Sequence, residues 1–465
     1  MPATVGPPIQ DSPRIVLPTI RRGRVPKYKG VVDALAEQIR DGHLPAGTKL
    51  PTHRRLAADQ GIAVVTASRV YAELEAMGLV SCEQGRGTFV RDPATGEAAD
   101  ERSVAADALD LSFNHPAVPG QADLLRQALR DLATAGDLDA LLRYQPHRGR
   151  AHDRAAVARH LRRRGLDAGR ERVLIVDGAQ HGLAVTAMTL FRPGDVVAVD
   201  ALTYPGFRML ARTLGLEPAP LPVTAAGPDL DVLDRLCRRR RVRAVYAMPT
   251  LHNPLGWVLD DARRARLVAI ARAHGLTIIE DASYAYLAED APPPLAALAP
   301  EATVYVSGLS KNVATGLRFG FVAAPDALVP SFERAIRATT WNTPALTAEI
   351  ARRWLEDGTV DRLEGRKRAD ARQRQAVAAE VLDGLPLIAH PSSYFLWLPL
   401  APDSRPDRIA AALARRRVAV ATAEPFATTP AVPQALRLAL GSVGLAQLRA
   451  ALEAVRQEAE HDAYR

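Results

Sequence analysis

Cysteine is nearly absent. Cys82 and Cys237 are the only two in 465 residues. They show no metal-ligand spacing and fall in what should be different domains, which argues against a disulfide or a zinc site and leaves no metal expected. Long apolar runs are missing too. None approaches the ~18 residues needed to span a bilayer, and the N-terminal residues lack the charged, apolar and small-residue zones of a signal peptide, so a cytoplasmic protein with no membrane partner is expected. Lysine is also scarce: Lys311 is the only one between Lys49 and Lys367, in a chain that uses arginine for nearly all its positive charge. A guanidinium serves a surface charge equally well. A lone lysine in an apolar neighbourhood therefore points to chemistry that arginine cannot do, namely condensing its amine with an aldehyde. Taken alone, the residue leaves open a lysine with no special role, and the flanking motifs have to decide.

The composition is 48 % apolar and 24 % charged, which is ordinary for a soluble globular protein, and the length is enough for two to four domains. Charge is unevenly spread. Between Arg14 and Arg91 there are thirteen Lys or Arg against seven Asp or Glu, a net +6 out of a whole-chain +8. A compact basic segment suits a module that binds phosphates, although a solvated face gives the same bias.

The order of elements in that segment says more than its charge. Apolar residues at 31, 32, 35 and 39 make a helical stripe over 28–40, and Gly42, Pro45 and Gly47 end it. Thr52 is a natural cap for a second helix that Gly61 closes. A third is expected from Val64 to Met77, with Val65, Val70 and Leu74 buried and Thr66, Ser68 and Arg69 facing outward. Residues 79–84, the turn Gly85-Arg86-Gly87 and Thr88-Phe89-Val90 read as a β-hairpin. Three short helices and a basic-tipped hairpin make a winged helix-turn-helix whose third helix enters the major groove. Leu50-Pro51-Thr52, Arg54, Leu56-Ala57, Gly61, Tyr71-Ala72-Glu73-Leu74 and Gly85-Arg86-Gly87-Thr88-Phe89-Val90 resemble the DNA-binding domain of the GntR family. The resemblance implies an operator duplex as partner and Arg54, Thr66, Ser68, Arg69, Arg86 and Gly87 as its contacts. One departure stands out: the family's Ser-Arg-x-Thr is here Ala63-Val64-Val65-Thr66, which removes a capping hydroxyl and an arginine.

The domain boundaries follow: a tail over 1–24, the DNA-binding domain over 25–91, a linker over 92–108 without apolar periodicity, and a large domain over 109–465. In the last, β-type apolar runs (173–176, 196–199, 243–248, 277–280, 303–307) alternate with helical stretches, which predicts an α/β fold with a mostly parallel sheet and a smaller lobe. Asp177-Gly178-Ala179-Gln180-His181-Gly182 follows one of these strands and opens a helix, so free backbone N–H groups face an anion there.

These motifs fall where fold-type I aminotransferases carry theirs. The resemblance implies pyridoxal 5'-phosphate as cofactor, bound covalently by Lys311 in Val306-Ser307-Gly308-Leu309-Ser310-Lys311-Asn312. It places the cofactor phosphate on Gly178, Ala179, Gln180, Ser310 and Arg318. Tyr204 would stack on the ring, Asn253 and Tyr284 would bond the ring hydroxyl, and Asp281 would hold the ring nitrogen protonated. Tyr144, with Gly149 five residues on, matches a tyrosine that reaches the neighbouring subunit's phosphate and so implies a homodimer. Arg437 matches the arginine that grips a substrate or effector carboxylate. Two positions depart from the family: Asp177 replaces a hydroxyl residue, and so does Gly308, with Ser307 as a possible substitute. The two halves together resemble the MocR subfamily of GntR regulators. That implies a pyridoxal-phosphate-dependent transcription factor sensing an amino acid, an amine or the cofactor itself. A catalytically active aminotransferase with an accessory DNA-binding domain, and a DNA-binding protein whose second domain is purely structural, remain as alternatives.

Overall fold

The computed structural model describes residues 27–40, 43–45, 47–77, 79–83, 87–90 and 108–463. The expected tail over 1–24, the wing tip with Arg86, and linker residues 92–107 lie outside the described residues. The chain divides into two compact units, one of residues 1–105 with 407–412 and one of the remainder.

In the first unit, α1 (Lys27–Arg40) buries Val31, Val32, Leu35 and Ile39 on one stripe. Helix α2 (His53–Gln60) starts where Thr52 Oγ1 accepts the Arg55 N–H at 3.3 Å, and it stops at Gly61 in the left-handed region. Glycine suits that closing position because a Cβ is penalised there. The third helix, α3 (Val64–Ala76), has no side-chain cap at Ala63, in agreement with the lost hydroxyl. Its buried residues are Ala67, Val70, Tyr71 and Leu74, whereas Val65 is 81 % exposed. The expectation that Val65 packs inward is therefore corrected. Two residues before Ala67 on a helix is a rotation of about 200°, which puts Val65 opposite the core stripe. Strands β1 (Val80–Glu83) and β2 (Gly87–Val90) pair antiparallel with Val80 opposite Val90 and Glu83 opposite Gly87.

The second unit is built on a seven-stranded sheet in the order Val173–Val176, Gly320–Ala323, Thr303–Gly308, Thr277–Asp281, Val242–Ala247, Val196–Asp200, Glu217–Leu221. All pairings are parallel except those of Gly320–Ala323, which runs antiparallel to both neighbours. Every residue of Val173–Val176, Val196–Asp200 and Thr303–Gly308 is buried, as expected for strands covered on both faces. Alternation sends successive side chains to opposite faces, with Val196 and Ala198 in one cluster beside Val245 and Ile278. Val176, Val199, Tyr246, Ile279, Val306 and Val322 share a second cluster, while Val173, Ile175, Tyr305 and Phe321 share a third. A smaller five-stranded sheet runs Ile388–Ala389, Phe395–Pro399, Ala435–Ala439, Val418–Thr422, Leu109–Leu111. The predicted strands are thus present to within a residue or so, with the smaller lobe as a second sheet.

An ion-pair knot joins the helices Ala151–Arg163 and Ala345–Glu356. Arg150 grips Asp153 with two bonds of 2.7 and 2.9 Å and reaches Glu349 at 3.0 Å, while Arg353 donates to Glu349 at 2.9 Å. Burial raises the Glu349 pKa, but hydrogen bonds from Arg352 and Arg353 outweigh it and hold the carboxyl at about 2, below its ordinary 4.5. The stability this provides is present above pH 4.5 and is lost as pH falls through 2, on the order of 1–2 kcal/mol once solvent screening of the partly exposed arginines is discounted. Glu349→Gln should therefore melt earlier than wild type at pH 7 and converge with it in acid. A gap independent of pH would contradict this assignment.

Candidate functional site

In an open α/β sheet, ligands bind beyond the carboxyl ends of the parallel strands. Four adjacent strands bring chemistry to that edge here. Val196–Asp200 leads to Tyr204, Val242–Ala247 to Asn253, Thr277–Asp281 ends on Asp281 itself, and Thr303–Gly308 leads to Ser310 and Lys311.

The register explains how Asp281 is held. Tyr246 pairs with Ile279 on the adjacent strand, and Asp281 lies two residues beyond Ile279 on the same face. The Tyr246 hydroxyl donates to Asp281 Oδ2 at 2.8 Å, while Ser283 donates to Oδ1 through its backbone N–H (3.0 Å) and its hydroxyl (2.6 Å). Burial raises the pKa of the Asp281 carboxyl, and the Ser283 and Tyr246 bonds pull it back. Tyr246 is braced in turn by Phe207, stacked at 3.9 Å. Tyr246 was not legible as a site residue, because its partner depends on strand register.

Three glycines set the anion cradle. Gly178 has φ +86°, and a Cβ on it would stand 2.7 Å from Arg318 Nη2. A Cβ on Gly320 would lie 2.5 Å from the Gly178 carbonyl carbon, and one on Gly308 would lie 2.8 Å from the Phe319 oxygen. The three backbones meet at the start of the helix Ala179–Leu190, where only hydrogen fits between them. Arg318 Nη2 donates to the Asp177 carbonyl at 3.2 Å. The departure at Gly308 therefore has a packing reason. Ser307 does not replace the missing hydroxyl, because strand alternation turns it to the opposite face and its Oγ donates to the Ala282 carbonyl at 3.2 Å.

Lys311 is half-buried, and its Nζ donates to the Asn114 carbonyl at 2.9 Å. The Asn114 side chain, in the amide orientation that satisfies both neighbours, accepts from Arg437 Nη2 at 3.2 Å and donates to the Tyr394 carbonyl at 2.7 Å. One loop residue thus spans Lys311 and Arg437. Arg437 is buried, with its Nη1 on the Ser112 carbonyl at 2.7 Å and its guanidinium over Phe395 and Phe426. Tyr284 is buried against the same Phe395, ring to ring at 5.1 Å. Gln180 Nε2 donates to the Gly206 carbonyl at 3.0 Å, and a Cβ on Gly206 would touch both the Tyr204 ring and Gln180 Oε1. Tyr144 is the exception: it is 86 % exposed and lies against Trp341 at 5.7 Å between ring centres.

Lys367, on the helix Thr359–Val381, is fully buried beside Lys311. Its Nζ donates to the carbonyls of Pro116 (2.8 Å), Lys311 (3.0 Å) and Val313 (2.8 Å), one N–H of an ammonium for each. The Tyr286 hydroxyl also donates to the Lys311 carbonyl, at 2.9 Å. Lysine scarcity singled out Lys311, but nothing local showed that its neighbour in the lysine count would be its neighbour in space.

On the first unit, Arg54 and Arg69 are exposed, Thr66 and Ser68 half-buried, and Gly87 exposed at φ +121°. Arg69 lies over the Tyr28 ring at 4.5 Å. The Ser68 hydroxyl is engaged, donating to the Val64 carbonyl at 3.1 Å and lying 2.8 Å from His53 Nδ1. Exposed Lys49 sits beside Gly87, adding a basic group to the wing.

The sequence profile of the family "Aminotransferase class I and II" matches residues 106–455. The chain belongs to that family. The profile of "Bacterial regulatory proteins, gntR family" matches residues 27–90, so an aminotransferase-class domain is joined to a GntR-type DNA-binding domain, the MocR arrangement. An uncharacterized HTH-type transcriptional regulator of Bacillus subtilis is 28 % identical over 90 % of each chain. The probable rhizopine catabolism regulatory protein MocR of Rhizobium meliloti is 27 % identical over 71 % of this chain and 72 % of its own. Among solved structures, the α-aminoadipate aminotransferase LysN of Thermus thermophilus, complexed with N-(5'-phosphopyridoxyl)-L-leucine, superposes with a TM-score of 0.71 at 24 % identity over 78 % of this chain and 95 % of that one. Membership of the aminotransferase class implies dependence on pyridoxal 5'-phosphate.

The residues present fit that cofactor. Asn253 Oδ1, Ser310 Oγ and Gln180 Oε1 are buried without a hydrogen-bond partner among the described residues, and such groups are costly unless a ligand or water completes them. The glycine cradle beside Arg318 leaves backbone N–H groups at a helix start for an anion. No helix among the described residues is long and apolar enough to cross a membrane.

Proposed function

We propose that this transcriptional regulator holds pyridoxal 5'-phosphate through Lys311 and reports an amine or amino acid bound there to its DNA-binding unit in the cytoplasm, as a homodimer. The observation that carries this reading is the bridge made by Asn114, whose backbone accepts from Lys311 and whose side chain meets Arg437. An amine-reactive lysine and a carboxylate-binding arginine on one loop residue are what an amino acid needs for recognition at both ends. When bound, the cofactor supplies an aldehyde for amines and a ring that withdraws electrons. In this reading Asp281 keeps a proton on the ring nitrogen, fixed by Tyr246 and Ser283. Asn253 and Tyr284 serve the ring hydroxyl, and Tyr204 covers the ring. Gly178, Ala179, Gln180, Ser310 and Arg318 take the phosphate, and Tyr144, too exposed to serve its own site, reaches the second copy's. Arg54, Thr66, Ser68, Arg69, Arg86 and Gly87 contact the operator, and 92–108 connects the units.

The test is operator affinity, on a duplex enriched from a random pool, with and without amino acids and amines, in wild type and Lys311→Ala. A ligand should change wild-type affinity by a factor of roughly 5 to 150, and the operator must change the ligand's affinity by the same factor. A ligand that acts equally on both proteins sinks the reading. Turnover as an aminotransferase is the second reading, favoured by a half-buried Lys311 Nζ whose one hydrogen-bond partner among the described residues is the Asn114 carbonyl. Steady-state assays with amino donors and keto-acid acceptors separate the two.

A further inference from the structure

The recognition helix carries an apolar tip that the usual polar readout does not explain. Along α3, Val65, Ser68, Arg69 and Ala72 recur at helical spacing on the face opposite the buried Ala67, Val70, Tyr71 and Leu74. Val65 is 81 % exposed and Val64 47 %; among the described residues 27–90 no other large apolar side chain is exposed. A single exposed apolar residue is ordinary. Two adjacent β-branched ones in the first turn of a helix, where valine is a poorer helix former than alanine, have no structural reason of their own. They stand where the second helix of a helix-turn-helix presents its N-terminal residues to base edges. Val64 occupies the place of the arginine in the GntR pattern, so a guanidinium donor is replaced there by methyl groups. The Ser68 hydroxyl next along the stripe is engaged with the Val64 carbonyl and His53. Exposed Arg54 and Arg69 lie on the same two helices, supplying positive charge for the flanking backbone.

Thymine alone among the four bases offers a methyl group in the major groove. We propose that Val65, with Val64 beside it, packs on thymine methyls and thereby sets part of the operator sequence. The proposal rests on the reading that this unit binds duplex DNA, and its test keeps the two apart.

Full-length protein loaded with pyridoxal 5'-phosphate is used to enrich a duplex from a random pool, and each thymine of the enriched duplex is then replaced singly by deoxyuridine, which removes only the methyl. Wild type should lose roughly four-fold in affinity at one or two thymines, the value of one buried carbon. Val65→Ala, at so exposed a position, should keep its melting temperature, bind the parent duplex more weakly, and show no further loss at those thymines. Val65→Thr, which exchanges one methyl for a hydroxyl at equal size, should behave in the same direction. The proposal is overturned if deoxyuridine has no effect anywhere in wild type, or if its effect persists undiminished in Val65→Ala and Val64→Ala. A pool that yields no enriched duplex overturns the DNA-binding reading itself, and the methyl contact with it.

Discussion

Lys311→Ala, incubated with pyridoxal 5'-phosphate and reduced with borohydride, is expected to carry no pyridoxyl group, whereas the wild-type chain carries one on the Lys311 peptide. The reason is spatial. Lys311 is half-buried and its Nζ is held by a single carbonyl among the described residues, so its amine can be released to an aldehyde. Lys367, the other lysine nearby, is fully buried, with each N–H on its own carbonyl. Mass spectrometry of the reduced peptides checks this, and an adduct on Lys367, or none in the wild type at saturating cofactor, contradicts it. The same substitution should remove much of the thermal stabilisation by the cofactor, which for the wild type amounts to about 2.7 kcal/mol at a hundred-fold excess over the dissociation constant.

Lys367→Met is expected to weaken the large unit on the order of 3 kcal/mol at high pH, where the neutral amine's two N–H groups serve two of the three buried carbonyls at ~1–3 kcal/mol each, and by less near pH 7, where the cost of desolvating the ammonium offsets its third bond. Two of those carbonyls belong to Lys311 and Val313, so the loop that presents Lys311 loosens with them. The variant should therefore also be slower to form the reducible adduct, although Lys311 itself is untouched. Calorimetry of the cofactor-free protein reads the first effect and quenched borohydride trapping the second. An unchanged melting transition at high pH would mean that the Lys367 amine contributes nothing.

The pH dependence has a defined sign. Burial, with Lys311 adding to it, pushes the Lys367 pKa from 10.5 down to about 7, against the opposing pull of Asp370 and Glu364. Between pH 7 and 10.5 the unfolded chain holds a proton that the folded chain releases, so stability from this group is full above 10.5 and lost as pH falls to 7. Lys367→Met should lack that limb. Glu280, raised by burial from 4.5 to about 7, titrates on the acid side of the same point and is common to both proteins. The difference between the two pH profiles therefore isolates Lys367.

The GntR and aminotransferase motifs were readable because each is encoded within a few consecutive residues. Thr52 caps and Gly61 closes α2 through bonds inside one turn, and the run from Val306 to Lys311 ends a strand and begins the loop that carries Lys311 without reference to anything distant. Strand positions were readable for a similar reason, since parallel strands covered on both faces are continuous apolar runs. These properties determined that the chain is a winged helix-turn-helix followed by a mostly parallel α/β domain, and which residues were candidates for its site.

The tertiary structure decided which candidates have partners. Tyr246 holds Asp281 only because register sets it opposite Ile279, two residues short of the carboxylate and on the same face. Lys367 lies under Lys311 only because the long helix Thr359–Val381 crosses that loop, and Asn114 spans Lys311 and Arg437 across a separation of some two to three hundred residues along the chain. Val65 was misread for the same kind of reason. A single apolar residue in a short helix fits either face until the core stripe through Ala67, Val70, Tyr71 and Leu74 is known, and only packing against α1 and α2 selects that stripe. Local periodicity and caps are short-range and survive in sequence, whereas register, crossing and the choice of face are fixed by contacts between distant segments.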